Sequence, residues 1–159
     1  MGSFNGFLDA EFRPPRNWSL ISSLKFKSET LTREQRDLLV ECGIQVTKTT
    51  STITVPKGYI TDLASVPRIC WSFIAPFDVA RAAVIHDIMY EKINGAFKKG
   101  IIETKKEREI YRKIADHTFL EGMESAEPPV SKWKIKSAYY AVRMFGRWAI
   151  NSSAPRKGI

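Results

Sequence analysis

Histidine and cysteine are scarce in this chain of 159 residues, with two of each. The cysteines, Cys42 and Cys70, cannot build a multi-bridge framework. Two reduced thiols is the simpler expectation, with a single bridge as the alternative. No stretch approaches the roughly 20 consecutive apolar residues of a membrane span. The segment from Met1 to Gly6 lacks the basic start and apolar core of a secretory signal. There is no internal repeat, no helix-turn-helix pattern, no base-stacking platform and no His-Glu-x-x-His zinc signature. These absences argue against a disulfide scaffold, an integral membrane protein and a standard metalloprotease. Hydrophobic residues are 43% and charged residues 26%, the balance of an ordinary globular domain with one core.

The pattern along the chain divides into a strand-rich front and a helix-rich back. Residues 7–12 and 18–27 read as strands, separated by Pro14-Pro15. Thr32-Arg33-Glu34-Gln35 has the form of a capping box and predicts a short helix through Val40, ended by Gly43. Residues 44–55, rich in Thr, Ile and Val, read as a hairpin turning at Ser51. Helical periodicity then takes over. A helix apolar nearly all round covers 78–92 and should stop at Asn94-Gly95. A loose basic segment follows over 96–104. A long helix spans 105–124, Pro128-Pro129 closes it, and a last helix spans 132–150. The expected class is therefore α+β, with antiparallel strands and hairpins followed by a three-helix half. One domain should cover residues 1–150, leaving 151–159 as a mobile basic tail.

Charge is unevenly placed. The net charge is +8, and residues 131–159 hold seven basic side chains and no acidic one. The remainder is nearly neutral, with 18 basic against 17 acidic residues. A local positive field suits an acidic protein surface, anionic lipid or nucleic acid, and a solvated helix face is the plain alternative.

The candidate site lies in the first long helix. His86 stands in the apolar run Ala82-Ala83-Val84-Ile85 with Asp87 directly after it, and Asp116 sits in the apolar stripe of the next helix. Buried polar groups are costly unless paired. His86 and Tyr90 share a helical face, while Asp87 points about 100° away. If the two helices pack antiparallel, Asp116 can bond one ring nitrogen of His86 and accept from Tyr90. The other ring nitrogen would then serve as a base near neutral pH. The same cluster equally describes a satisfied core network that joins two helices. His117 more simply reads as a solvated histidine.

A loop of unusual functional groups precedes that helix, Gly58-Tyr59-Ile60-Thr61-Asp62-Leu63-Ala64-Ser65-Val66-Pro67-Arg68. Thr61, Asp62 or Ser65 can cap a turn, and Arg68 can pair with Asp62 or an acidic ligand. Asp62 can also join Asp87 and His86 around a divalent cation, calcium or zinc. A strand-to-helix elbow held by caps is the simpler account.

The ordered motifs Gly-Tyr-x-Thr-Asp-x-Ala-Ser-x-Pro-Arg (58–68), Arg-Ala-Ala-Val-x-His-Asp-x-x-Tyr (81–90) and Ala-Asp-x-x-Phe-x-x-x-Met (115–123) resemble a domain-of-unknown-function family encoded mainly by tailed bacteriophages and prophages. Tyr140, Val142, Arg143, Phe145 and Gly146 fit the same pattern, and the likeness spans about residues 16–148. The resemblance implies a phage origin, with the virion or the host cytoplasm as location. More faintly, His-Asp-x-x-Tyr with a later Asp on a partner helix is similar to the catalytic helices of phospholipases A2. That similarity implies His86 as base, Asp87 as calcium ligand, Asp116 as orienter and Tyr90 in support. This chain departs from it in two ways. The glycine-rich calcium loop is missing, and the interval from Asp87 to Asp116 is short.

Three functions follow as expectations. The first is a metal-assisted hydrolase with His86, Asp116 and Tyr90 as catalytic residues, acting on a cell-envelope bond. The second is a noncatalytic structural or interaction module that docks on a virion or host protein, or on an anionic lipid or envelope polymer. Nucleic-acid binding through the basic C-terminal helix is third and disfavoured.

Overall fold

In the computed structural model, the description covers residues 2–63, 72–75 and 79–152. Seven strands precede the last three helices: β1 (Ser3–Phe4), β2 (Ala10–Arg13), β3 (Asn17–Leu20), β4 (Leu24–Lys27), α1 (Arg33–Glu41), β5 (Gln45–Thr47), β6 (Thr52–Val55), β7 (Ile60–Thr61), α2 (Ala80–Lys98), α3 (Lys105–Glu124) and α4 (Lys132–Ser152). The strands form two antiparallel sheets, ordered β1-β4-β6-β5 and β2-β3-β7. The class is α+β, as the sequence pattern predicts.

Local chemistry explains most boundaries. Thr32 Oγ1 accepts from Gln35 N–H while the Gln35 side chain accepts from Thr32 N–H, so the capping box is complete. Gly43 takes φ 84° behind α1, a backbone state that glycine adopts without a Cβ penalty. Residues 18–27 form two strands rather than one. Leu20 and Leu24 are both buried, and the chain bends between them at Ile21-Ser22, where exposed Ser22 interrupts the buried alternation. The hairpin of β5 and β6 turns at Thr50-Ser51, with Ser51 at φ 53°.

The expected stop at Asn94-Gly95 is corrected. α2 runs on to Lys98, because Ile93, Asn94 and Ala96 continue its buried face. A glycine inside a helix costs only about 1 kcal/mol, which that burial outweighs. Gly100, at φ 78°, ends the helix instead. α4 extends two residues beyond the expected end, through Asn151 and Ser152. The tail expected to be mobile lies, over 153–159, outside the described residues.

The principal core joins Phe26, Leu39, Ile53 and Val55 to Val84, Ile85, Met89 and Ile93 of α2 and Ala115 of α3. A second cluster, with Ala82, Ala83, Phe119, Met123, Ile135, Ala138 and Val142, lies where α2, α3 and α4 meet. Gly122 makes that meeting close, since a Cβ there would stand 2.9 Å from Ala82 Cβ. Among the described residues, no helix is long and apolar enough to cross a membrane.

Candidate functional site

The packing of α2 on α3 brings His86 to Asp116. His86 Nε2 lies 2.8 Å from Asp116 Oδ1, and Tyr90 O–H donates to the same oxygen at 2.6 Å. His86 is 2% exposed and Asp116 is fully buried. The His86 ring also packs at centroid distances of 4.0 Å on Tyr90 and 4.9 Å on Phe119.

The other carboxylate oxygen of Asp116 carries two charges that the sequence reading did not place here. Arg112 Nη1 donates to Oδ2 at 3.1 Å, and Arg143 Nη1 from α4 donates to it at 2.7 Å. Both guanidiniums also grip Glu109, Arg112 through Nε and Nη2 at 2.7 and 2.6 Å and Arg143 through Nη2 at 2.9 Å. Arg112 further donates to the backbone carbonyls of Val142 and Arg143. Two carboxylates thus balance two guanidiniums, and three helices are tied at one point. Glu109, Arg112 and Asp116 stand at i, i+3 and i+7 on α3, a legible stripe of one helical face. Nothing local to that stripe says that α4 covers it.

Gly146 lets α4 approach. A Cβ at this position would fall against the Tyr90 hydroxyl and 2.8 Å from Arg112 Nη1. Burial works against the charged form of Asp116, but the bonds from His86, Tyr90 and Arg143 outweigh it and hold the carboxyl below the usual range. The Arg112 guanidinium does the same for Glu109, opposed by partial burial. Burial first, and then the Asp116 charge, push the Tyr90 hydroxyl up, so it remains a donor.

Asp87 faces elsewhere. Thr61 Oγ1 donates to Asp87 Oδ2 at 2.5 Å and accepts from Leu63 N–H at 3.0 Å. Thr61 is fully buried, and Leu63 takes φ 57°, uncommon for a side chain of its bulk. Thr61 thus ties the end of β7 to α2 through Asp87. Ser65 and Arg68, expected as binding residues, lie outside the described residues, as does Cys70. Cys42 is a buried free thiol. His117 is exposed, with its ring edge-on to Tyr139 at 5.7 Å, and stands apart from the Asp116 cluster.

A calcium or zinc ion would have to be held by Asp87 and Asp62. Among the described residues, no group of three or more His, Cys, Asp or Glu side chains gathers as a cation site. His86 and Asp87 leave the helix in different directions, toward Asp116 and Thr61. The described donor set therefore falls short of the three or more protein ligands typical of a dedicated site.

A second buried carboxylate also escaped the sequence reading. Glu121 Oε2 accepts from Ser28 Oγ at 2.5 Å and Thr30 Oγ1 at 2.8 Å, and Oε1 accepts from Glu29 N–H at 2.7 Å. It pins the turn before α1 to α3.

Fold and site together describe a small α+β protein with a buried His-Asp-Tyr-Arg cluster at a three-helix junction. A family model described as "Protein of unknown function (DUF1353)" matches residues 37–142, and the chain belongs to that family. No curated protein and no solved structure matches the chain.

Proposed function

We propose that this chain is a phage-encoded interaction module without catalysis, and that its His86–Asp116–Tyr90 cluster is a structural clasp. The observation that carries this reading is the saturation of Asp116. Four donors from three helices converge on one fully buried carboxylate. A carboxylate offers about four lone-pair sites, so this one has none left over for a ligand. The flanking charges cancel in pairs, which is how buried ions are tolerated. A general base must touch the proton it removes, directly or through one water, and His86 is 2% exposed. The phage assignment rests on the motif resemblance over residues 58–123.

One observation favours a second reading, a hydrolase acting on an envelope ester or peptidoglycan bond. His86 is bonded through Nε2 to a carboxylate that also accepts from Tyr90. That matches the arrangement implied by the phospholipase-like helices and would leave Nδ1 to take a proton from water.

One variant separates the two. His86→Gln should leave phage production intact, and the wild-type chain should not turn over a fluorogenic phospholipid or peptidoglycan above a protein-free blank. Turnover that the variant abolishes with melting unchanged would overturn the clasp and establish the hydrolase.

A further inference from the structure

The outer face of α4 is a feature that the clasp does not use. Trp133, Tyr140, Met144 and Trp148 are 58, 62, 63 and 62% exposed, and Phe145 is 41% exposed beside them. Trp133, Tyr140, Met144 and Trp148 are spaced by 7, 4 and 4 residues, so they form one stripe along the helix. The opposite side of α4, with Ile135, Ala138 and Val142, is buried in the core. Soluble surfaces rarely align large apolar side chains in this way without a use for them.

A basic ridge runs beside the stripe. Lys132, Lys136 and Arg147 fall on adjoining helical positions and are exposed, whereas the Arg143 guanidinium is taken by Asp116 and Glu109. Arg147 stands over the Trp148 ring at 5.9 Å, and Lys134 over Trp133 at 5.8 Å. The segment has no acidic residue from 131 onward. A second copy of this helix would therefore meet like charge, which disfavours self-association through this face. Duplex nucleic acid would meet a central apolar stripe where its phosphates want cations. An anionic lipid surface satisfies both halves of the pattern. Tryptophan and tyrosine settle at headgroup depth, Met and Phe enter the acyl boundary, and flanking Lys and Arg meet lipid phosphates.

We infer that α4 is a membrane-surface element which lays its Trp133–Tyr140–Met144–Trp148 stripe on anionic lipid, with Lys132, Lys136 and Arg147 against the headgroups. The inference rests on the interaction-module reading and names its partner. The helix lies on the membrane rather than crossing it.

The test uses the full chain and sedimentation with phosphatidylcholine vesicles, with or without about 30% phosphatidylglycerol as the anionic lipid. Binding should require the anionic lipid, weaken in high salt and be accompanied by a blue shift of tryptophan emission. A variant with Lys132, Lys136 and Arg147 changed to Gln should bind about a hundredfold more weakly, from roughly 1 kcal/mol per basic residue near the surface. Trp148→Ala with Met144→Ala should lose binding as well, with only a small change in melting because both side chains are more than half exposed. No binding by the folded wild-type chain would overturn the inference. So would tighter binding to a DNA oligonucleotide that displaces the vesicles. Neither result touches the clasp, which is judged by His86→Gln and by Asp116→Asn.

Discussion

Asp116→Asn removes one charge from the clasp and almost no volume. The amide keeps one acceptor oxygen but turns an NH2 donor toward either His86 and Tyr90 or the two guanidiniums. Arg112, 2% exposed, then shares Glu109 alone with Arg143, and one positive charge is left unbalanced. Breaking a buried ion pair in this way typically costs about 3–5 kcal/mol. The Arg143 side chain is 24% exposed and Glu109 is 47% exposed, so water relieves part of the loss. The expected cost is therefore at the low end, about 3 kcal/mol. For a chain of this size that corresponds to a Tm lower by about 6–12 °C. Urea unfolding at neutral pH should show the same loss as a lower midpoint with unchanged slope.

The acid limb adds a second reading of the same variant. Folding depresses the pKa of both Asp116 and Glu109, so their contribution is present above the unfolded carboxylate values, near pH 4. It is lost as the pH falls through the lower folded values. Wild-type stability should thus fall below about pH 4, and Asp116→Asn should fall less steeply there. A variant within about 1 kcal/mol of wild type at neutral pH would put these bonds at the level of a surface pair and refute the clasp.

Gly146→Ala should destabilise by about 1–3 kcal/mol although alanine is the better helix former, because its Cβ must displace Tyr90 or Arg112. An unchanged or higher Tm would mean that α4 does not sit that close. Glu121→Ala should cost about 2–3 kcal/mol by orphaning the Glu29 N–H and two hydroxyls, and hydrogen exchange should rise first over 28–31. Exchange rising uniformly instead would deny Glu121 its local role.

What could be read in the sequence was what is local. The capping box at Thr32, the limits of α3 and the β5–β6 hairpin follow from a few neighbouring residues each. The pairing of His86 with Asp116 is legible only on the condition that α2 and α3 pack antiparallel, since each is a polar group in an apolar stripe and needs a partner. The rest depended on which face meets which. Arg112, Arg143 and Glu109 look like solvated helix charges until α4 is laid across α3. Gly95 looked like a stop because a glycine's cost is local, while the burial of Ile93, Asn94 and Ala96 that offsets it is tertiary.

That dependence bears on why a costly polar cluster stands at this junction. Among the described residues, the buried apolar side chains of α4 are Ile135, Ala138, Val142 and Ile150. Small residues there limit the area removed from water, and Gly146 contributes close approach rather than bulk. A purely apolar seam would fix register only through the fit of its side chains, since dispersion and burial are not directional. Arg143 and the backbone carbonyls of Val142 and Arg143 instead fix the helix in one register, through bonds that tolerate little displacement. Once that register is set, Trp133, Tyr140, Met144 and Trp148 must point outward together. Weakening the clasp should then release α4 before α2 and α3 separate. In Asp116→Asn, amide exchange should therefore rise in 132–152 at denaturant concentrations where residues 80–98 remain protected. Simultaneous loss of protection in both segments would show that the cluster holds the whole core rather than the placement of α4.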